Sequence, residues 1–192
     1  MHPKQERTYV MIKPDGVRRG LTGEIISRIE QRGLKVVALS MDSPARAKFD
    51  GHYPKDPKWI TRLGEKTLAT YQKYGFDPIS ELATDKAEEI GPMVRKWLLD
   101  FMTSGPVVKM IIEGVHAVDM VRKIAGNTMP SGAEMGTIRG DYSVDSAASA
   151  NRDKRAVYNL VHASETPDEA KHEIGYWFTK DEVHEYTRTN DV

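Results

Sequence analysis

Asn159-Leu160-Val161-His162-Ala163-Ser164-Glu165 ends an apolar run with an imidazole, and Thr166-Pro167-Asp168-Glu169 behind it reads as a capping box with Pro at the first helical position. The spacing predicts a strand that turns into a helix just after Ser164, with His162 beside unpaired backbone donors of the helix start. A neutral imidazole nitrogen is nucleophilic near pH 7, and such donors favour an anion at the ring, so a phosphate is the group this arrangement suits. Taken alone, the pattern also fits a histidine that plugs a strand end and bonds a carbonyl.

Three further motifs precede it: Ile12-Lys13-Pro14-Asp15-Gly16-Val17-Arg18-Arg19-Gly20, Ser104-Gly105-Pro106-Val107-Val108, and Gly136-Thr137-Ile138-Arg139-Gly140-Asp141-Tyr142. In this order the four segments resemble the nucleoside diphosphate kinase family, and the similarity runs from Arg7 to Phe178. The resemblance implies an α/β, ferredoxin-like fold. It also implies an enzyme that moves the terminal phosphate of a nucleoside triphosphate to a nucleoside diphosphate, by a ping-pong route through a phosphohistidine on His162. By the same resemblance Glu173 orients the ring and Ser164 bonds that carboxylate. Lys13, Tyr53, Arg122, Thr128, Arg139 and Asn159 bind phosphates and sugar, with Lys13 also catalytic. Mg²⁺ is the implied cofactor, held by the nucleotide's phosphates and by water rather than by a protein cage. ATP and other nucleoside di- and triphosphates are the implied partners, without nucleic acid or membrane. The implied assembly is a homo-oligomer, a hexamer or tetramer built from dimers. Ala163 stands where many relatives carry Gly, and a methyl is small enough to fit.

The residue types suit these roles. A carboxylate on one ring nitrogen fixes the tautomer and leaves the other nitrogen free to attack. Arginines offer planar forks for phosphate oxygens, Lys13 a compact charge and Thr128 a hydroxyl donor. For the base, Trp59 is a candidate stacking partner with Leu63 four positions on, and either also suits core packing. His52, His116, His172 and His184 read as surface or packing positions. No His-Glu-x-x-His, Gly-x-x-x-x-Gly-Lys-Ser/Thr or Gly-x-Gly-x-x-Gly pattern occurs, so neither a zincin, a P-loop nor a Rossmann route explains the chemistry.

Composition narrows the class. The 192 residues, 39% of them hydrophobic, suffice for a sizeable core, and a single domain over residues 1–192 is expected. Lys plus Arg and Asp plus Glu both number 28, so no global field gathers a polyanion and any cationic site must be local. Without cysteine there is no disulfide, thiolate nucleophile or Cys-ligated metal, in keeping with a reducing cytoplasm. Residues 1–7 lack the apolar core of a signal peptide, and no uncharged apolar stretch approaches a membrane span, so a cytoplasmic protein is expected.

These residues need elements to position them. Thr8-Tyr9-Val10-Met11-Ile12 is a β-prone run closed by a Pro14-Asp15-Gly16 turn. Ile25, Ile26 and Ile29 follow helical spacing up to Gly33, Leu34 to Leu39 is a second strand, and Ser43-Pro44 starts another helix. Val107 to Ile112, a helical face of Ala117, Val118, Val121, Ile124 and Ala125, and a strand from Ala156 to Val161 complete a βαββαβ order. That is the split pattern of a four-stranded antiparallel sheet covered on one face by helices.

Two segments exceed this core. An expanded helical insertion, about residues 54–103, carries one helix with Ile60, Leu63, Leu68 and Tyr71, and a second with Ile90, Met93, Val94, Trp97, Leu98 and Phe101, kinked or restarted at Gly91-Pro92. Residues 143–155, small and polar, read as a surface loop without core. The rival reading is a binding module of the same topology. RNA binders of that kind stack bases on sheet aromatics, and the strand from Val107 to Ile112 has none. An inactive scaffold is disfavoured by the presence of His162, Lys13, Arg122 and Arg139 together.

Overall fold

The apolar runs in β1 (Gln5–Ile12) and β3 (Val107–Val115) are nearly uninterrupted, and strands of that kind must be covered on both faces. The computed structural model, which describes residues 4–188, has this arrangement. With β2 (Lys35–Asp42) and β4 (Val161–Ala163) they form one antiparallel sheet in the order β2-β3-β1-β4, the ferredoxin-like split βαββαβ. Val10 and Ile12 point to one side and pack with Ile25 and Ile29 of α2 (Thr22–Gln31) and Val121 of α7 (Ala117–Ala125). Tyr9 and Met11 point to the other and pack with Phe49 of α3 (Arg46–His52), Leu99 of α6 (Ala87–Met102) and Trp177 of α10 (Pro167–Trp177). The expectation of one covered face is thus corrected. Tyr9 is wholly buried, so the sheet offers no aromatic platform for stacking RNA bases.

Several local readings shift. Pro14-Asp15-Gly16 opens a short helix, α1 (Pro14–Arg18), rather than forming a turn, with Pro14 at its first position. Gly16 is needed there for space. A Cβ on it would lie 2.8 Å from Ile12 Cγ2 and 3.1 Å from the Leu160 carbonyl oxygen. α3 begins at Arg46 rather than at Ser43-Pro44, because β2 stays extended as far as Asp42, opposite Val107, and Pro44 holds the residue before it in an extended conformation. The fourth strand starts at Val161, not Ala156, since Leu160 has φ +68° and breaks the extended run. On the partner side the pairing ends with one further bond, Lys13 N–H to the Leu160 carbonyl at 2.8 Å, because Pro14 has no N–H and the helix α1 begins there.

The insertion forms α4 (Pro57–Tyr74), α5 (Pro78–Leu82) and the start of α6, around a small core of Tyr71, Leu82 and Ile90. α6 runs without a restart through Pro92, which sits in its second turn and not its first. The missing N–H costs the helix one bond, the one that the carbonyl of Glu88 would accept. Two glycines let α4 and α6 touch backbone to backbone. A Cβ on Gly64 would lie 2.0 Å from the Ala87 carbonyl oxygen, and one on Gly91 would lie 2.1 Å from that of Ile60.

Residues 143–155 are not a coreless loop. They follow α8 (Ile138–Tyr142) and contain α9 (Ala147–Arg152), which is capped by the Ser146 hydroxyl accepting from the Ser149 N–H and buries Ala150 completely. Arg152 lies over the Phe76 ring and 3.4 Å from Glu81, so the two additions hold each other. No helix among the described residues is long and apolar enough to cross a membrane.

Gly64→Val should lower stability by about 1–3 kcal/mol or more, because the new side chain cannot move away from a backbone carbonyl. Thermal unfolding measures this; an unchanged midpoint would mean that the helices are not in close contact there.

Candidate active site

His162 lies in β4 directly opposite Met11 of β1, one residue inside the strand. Alternation puts Ser164 on the same face as His162, towards α10. Glu173, in the middle of α10, reaches both: its Oε1 is 2.7 Å from His162 Nε2, and its Oε2 accepts from the Ser164 hydroxyl at 2.6 Å. A carboxylate on Nε2 requires the proton there and leaves Nδ1 with its lone pair. Burial pushes the Glu173 carboxyl up, but the hydrogen bond and charge of His162 and the Ser164 hydroxyl outweigh it, and the group is held below the ordinary carboxylate value.

The helix start contributes less than the sequence suggests. α10 begins at Pro167, which has no N–H, after Thr166 as cap, and its Glu169 N–H is already used. Thr166 Oγ1 accepts from Glu169 N–H, while the Glu169 carboxylate reaches past the expected Thr166 N–H to accept from Glu165 N–H at 2.6 Å. Positive charge comes from side chains instead.

Lys13, at the end of β1, is buried and donates to Asn159 Oδ1 at 2.7 Å; burial and the nearby Arg139 push it down to about 8. Arg139, on α8, donates to the carbonyls of Asn159, Gly126 and Val161, and burial, with Arg122 beside it, lowers it to about 10. Asn159 Nδ2 in turn bonds the Thr128 carbonyl at 2.9 Å. Arg122, on α7, is half exposed and bonds the Glu165 carbonyl at 3.2 Å. Tyr53, just after α3, is half-buried, and burial first and then Glu173 push its phenol above its ordinary value.

Tyr53, Arg122, Thr128, Arg139, His162 and Glu173 line one cleft of about 590 Å³. Lys13, Asn159 and Ser164 stand immediately behind its wall through the bonds just given. All nine sequence-derived positions therefore converge on one place.

Other residues also line the cleft, and four of them bear on its chemistry. Trp59, near the start of α4, lines the cleft, whereas Leu63 does not. Glu165 and Glu169 line its rim. His52 is packed, as the sequence reading allowed, against Tyr9, Tyr53 and Trp177, and it also lines the cleft with its ring 5.1 Å from that of His162. Its Nδ1 accepts from the Trp177 indole N–H at 3.2 Å and lies 3.6 Å from Glu173 Oε1. Burial, and then His162, push its pKa down to about 4. Its adjacency to Tyr53 was the signal in the sequence. His52, His162 and Glu173 each offer a ligand atom within 4.8 Å of the others. The facing atoms already have partners, Glu173 for His162, His162 and Ser164 for Glu173, and Trp177 for His52, which leaves the cluster poorly suited to a metal.

A split βαβ sheet that presents a carboxylate-bound imidazole to an open cleft with buried cations defines a covalent phosphotransferase of the non-P-loop kind. Comparison with known proteins agrees. The chain matches the family described as nucleoside diphosphate kinase over residues 6–59 and 87–183, leaving most of α4, and α5, between the matched blocks. It is 47% identical to the nucleoside diphosphate kinase of Pyrobaculum aerophilum over 93% of this chain and 97% of that one. With that of Pyrococcus furiosus it shares 40% identity over 97% and 91%. Among solved structures, an NDP kinase from Pyrobaculum aerophilum superposes with a TM-score of 0.90 at 46% identity, covering 94% of this chain and 100% of that one. A nucleoside-diphosphate kinase from Borrelia burgdorferi, a transition state mimic with bound vanadate and ADP, gives 0.77 at 32% identity, covering 98% and 95%. The chain belongs to the nucleoside diphosphate kinase family, and is a phosphotransferase that moves phosphate between nucleotides through a phosphohistidine.

His52 generates a pH dependence. Its pKa is depressed in the fold from 6.5 to about 4, so between those values the unfolded chain binds the extra proton. The stability contributed by keeping it neutral is complete above pH 6.5 and is lost as pH falls towards 4. From pH 7.5 to 5 this amounts to about 2 kcal/mol. His52→Asn should flatten the fall by that much in urea unfolding; equal slopes in both proteins would assign it to other groups.

Proposed function

We propose that His162 is the phosphorylated residue and that its Nδ1 is the attacking atom. The observation that carries this reading is the 2.7 Å contact between His162 Nε2 and Glu173 Oε1, since it leaves Nδ1 as the nitrogen with a lone pair towards the cleft. Nδ1 attacks the γ-phosphorus of a nucleoside triphosphate, the bond to the bridging oxygen breaks, and the nucleoside diphosphate leaves with that electron pair. The Nε2 proton stays on the ring, where Glu173 stabilises the positive charge that the ring acquires. A second nucleoside diphosphate takes the phosphate by the reverse steps, which makes the kinetics ping-pong. The vanadate and ADP of the Borrelia burgdorferi protein support the same in-line chemistry for this chain.

Lys13, held by Asn159, together with Arg122 and Arg139, balances the charge on the phosphate oxygens. Tyr53, Thr128 and Asn159 complete the contacts to phosphates and sugar. Trp59 stacks on the base; stacking carries no base-edge hydrogen bonds, which supports low selectivity among ATP and other nucleotides. Mg²⁺ carried on the phosphates would spread the charge of the migrating group. Glu165, three-quarters exposed at the rim, and Glu169 would hold its waters, since Glu173 is engaged with His162 and Ser164.

The chain acts as one domain over residues 1–192, in the cytoplasm, as a homo-oligomer built from dimers into a tetramer or hexamer, with no need of nucleic acid or membrane. Exposed Leu39 and Met41 on the edge strand β2 support association, and the absence of cysteine suits a reducing compartment.

His162→Ala should abolish GTP formation from ATP and GDP, and γ-labelled ATP should leave an acid-labile label on the wild type only. Equal labelling of the two proteins would refute the assignment. Glu173→Gln should slow turnover by about 10- to 100-fold, and an unaltered rate would remove its orienting role. EDTA should suppress turnover and Mg²⁺ restore it.

A further inference from the structure

Leu160, two residues before His162, is one of four non-glycine residues with positive φ among the described residues, and it alone adjoins the site. With φ +68° and a hydrogen bond of 2.7 Å from Val161 N–H to the Asn159 carbonyl, it has the features of the rarer, positive-φ γ-turn. A branched, fully buried side chain is poorly suited to that conformation, so the turn persists only where its surroundings hold it.

Lys13 N–H bonds the Leu160 carbonyl at 2.8 Å, and Arg139 bonds the carbonyls on either side, those of Asn159 and Val161. The remaining group, Leu160 N–H, donates to Asp15 Oδ2 at 3.0 Å. Asp15 is itself buried, and its Oδ1 has no hydrogen-bond partner. It is the anion facing the buried cations Lys13 and Arg139, and Gly16 beside it provides the gap into which the Leu160 carbonyl fits.

We propose that Asp15 is a positioning residue for phosphoryl transfer: by accepting from Leu160 N–H it latches the strained turn that aims Asn159 at Lys13 on one side and His162 at the cleft on the other. If Leu160 relaxes to an extended conformation, its neighbours rotate with respect to the sheet, because the facing of side chains along a strand follows the backbone of each residue. The Asn159 amide then leaves Lys13, and the imidazole leaves Glu173. Asp15 does not line the cleft. The inference rests on His162 as the nucleophile, and labelling of the wild type tests that separately.

Two variants separate the latch from a plain charge. Asp15→Asn keeps an oxygen acceptor for Leu160 N–H without the charge, and Asp15→Ala removes both. The latch requires Asp15→Asn to retain kcat within a few-fold of wild type, while Asp15→Ala loses about a hundredfold, the effect of a displacement near 1 Å at a reacting group. Nucleotide Kd should change by less than about tenfold, since Tyr53, Arg122 and Thr128 stand on other elements. Equal losses in the two variants, a loss confined to Kd, or full activity in Asp15→Ala would overturn the proposal. Should Asp15→Ala not fold, hydrogen exchange of the Leu160 amide in the wild type and Asp15→Asn decides. The amide should be protected in both, and free exchange in either would sink the latch.

Discussion

A single buried carboxylate between an imidazole and a hydroxyl is the constraint on which the active site depends. Glu173 has two oxygens and uses both, one on His162 and one on Ser164. Because His162 and Ser164 are alternate residues on one face of β4, one helix residue reads the strand's phase and fixes it. The same contacts decide the proton's place on the ring. Orientation and nucleophilicity are therefore one property here, set by how α10 packs on the sheet.

Behind this relay the site keeps cations where burial disfavours them. Lys13 and Arg139 are both lowered by burial, and Asp15 alone faces them as a buried anion. In the proposed function an arriving polyphosphate supplies the charge they lack, in a cleft where electrostatic interactions are stronger than in bulk water. Such a site holds its ligand's negative charge in reserve as unsatisfied attraction, and it costs little reorganisation when phosphate arrives because Asn159, Thr128 and three backbone carbonyls already fix the donors.

Much of this could be read from the residues, and what could not has identifiable causes. Strands β1 and β3 followed from their apolar runs, though the meaning of an unbroken run, cover on both faces, was missed. The nine site positions came from the resemblance to the family, which four separated motifs carry. The start of β4 did not, because a positive φ at Leu160 has no sequence mark of the kind glycine gives; it is imposed by Asp15, Lys13 and Arg139 from elsewhere in the chain. α9 escaped for a related reason: its burial rests mainly on Ala150 and Asn151 among polar neighbours, and that pattern looks like a loop. His52 was hidden in plain view. Nothing local distinguishes a surface histidine from one whose partners, Trp177 and Glu173, lie more than a hundred residues away.

The close crossing of α4 and α6 bears on how the outer part of the molecule and the cleft influence each other. α4 spans about 27 Å at 1.5 Å per residue, and Trp59 stands in its first turn while Gly64 is clamped against the Ala87 carbonyl little more than one turn further on. Mechanically the helix is a beam gripped near its inner end. Bending or jostling of the distal arm is absorbed beyond the grip, so the aromatic wall of the cleft remains quiet while the periphery can vary in length and composition.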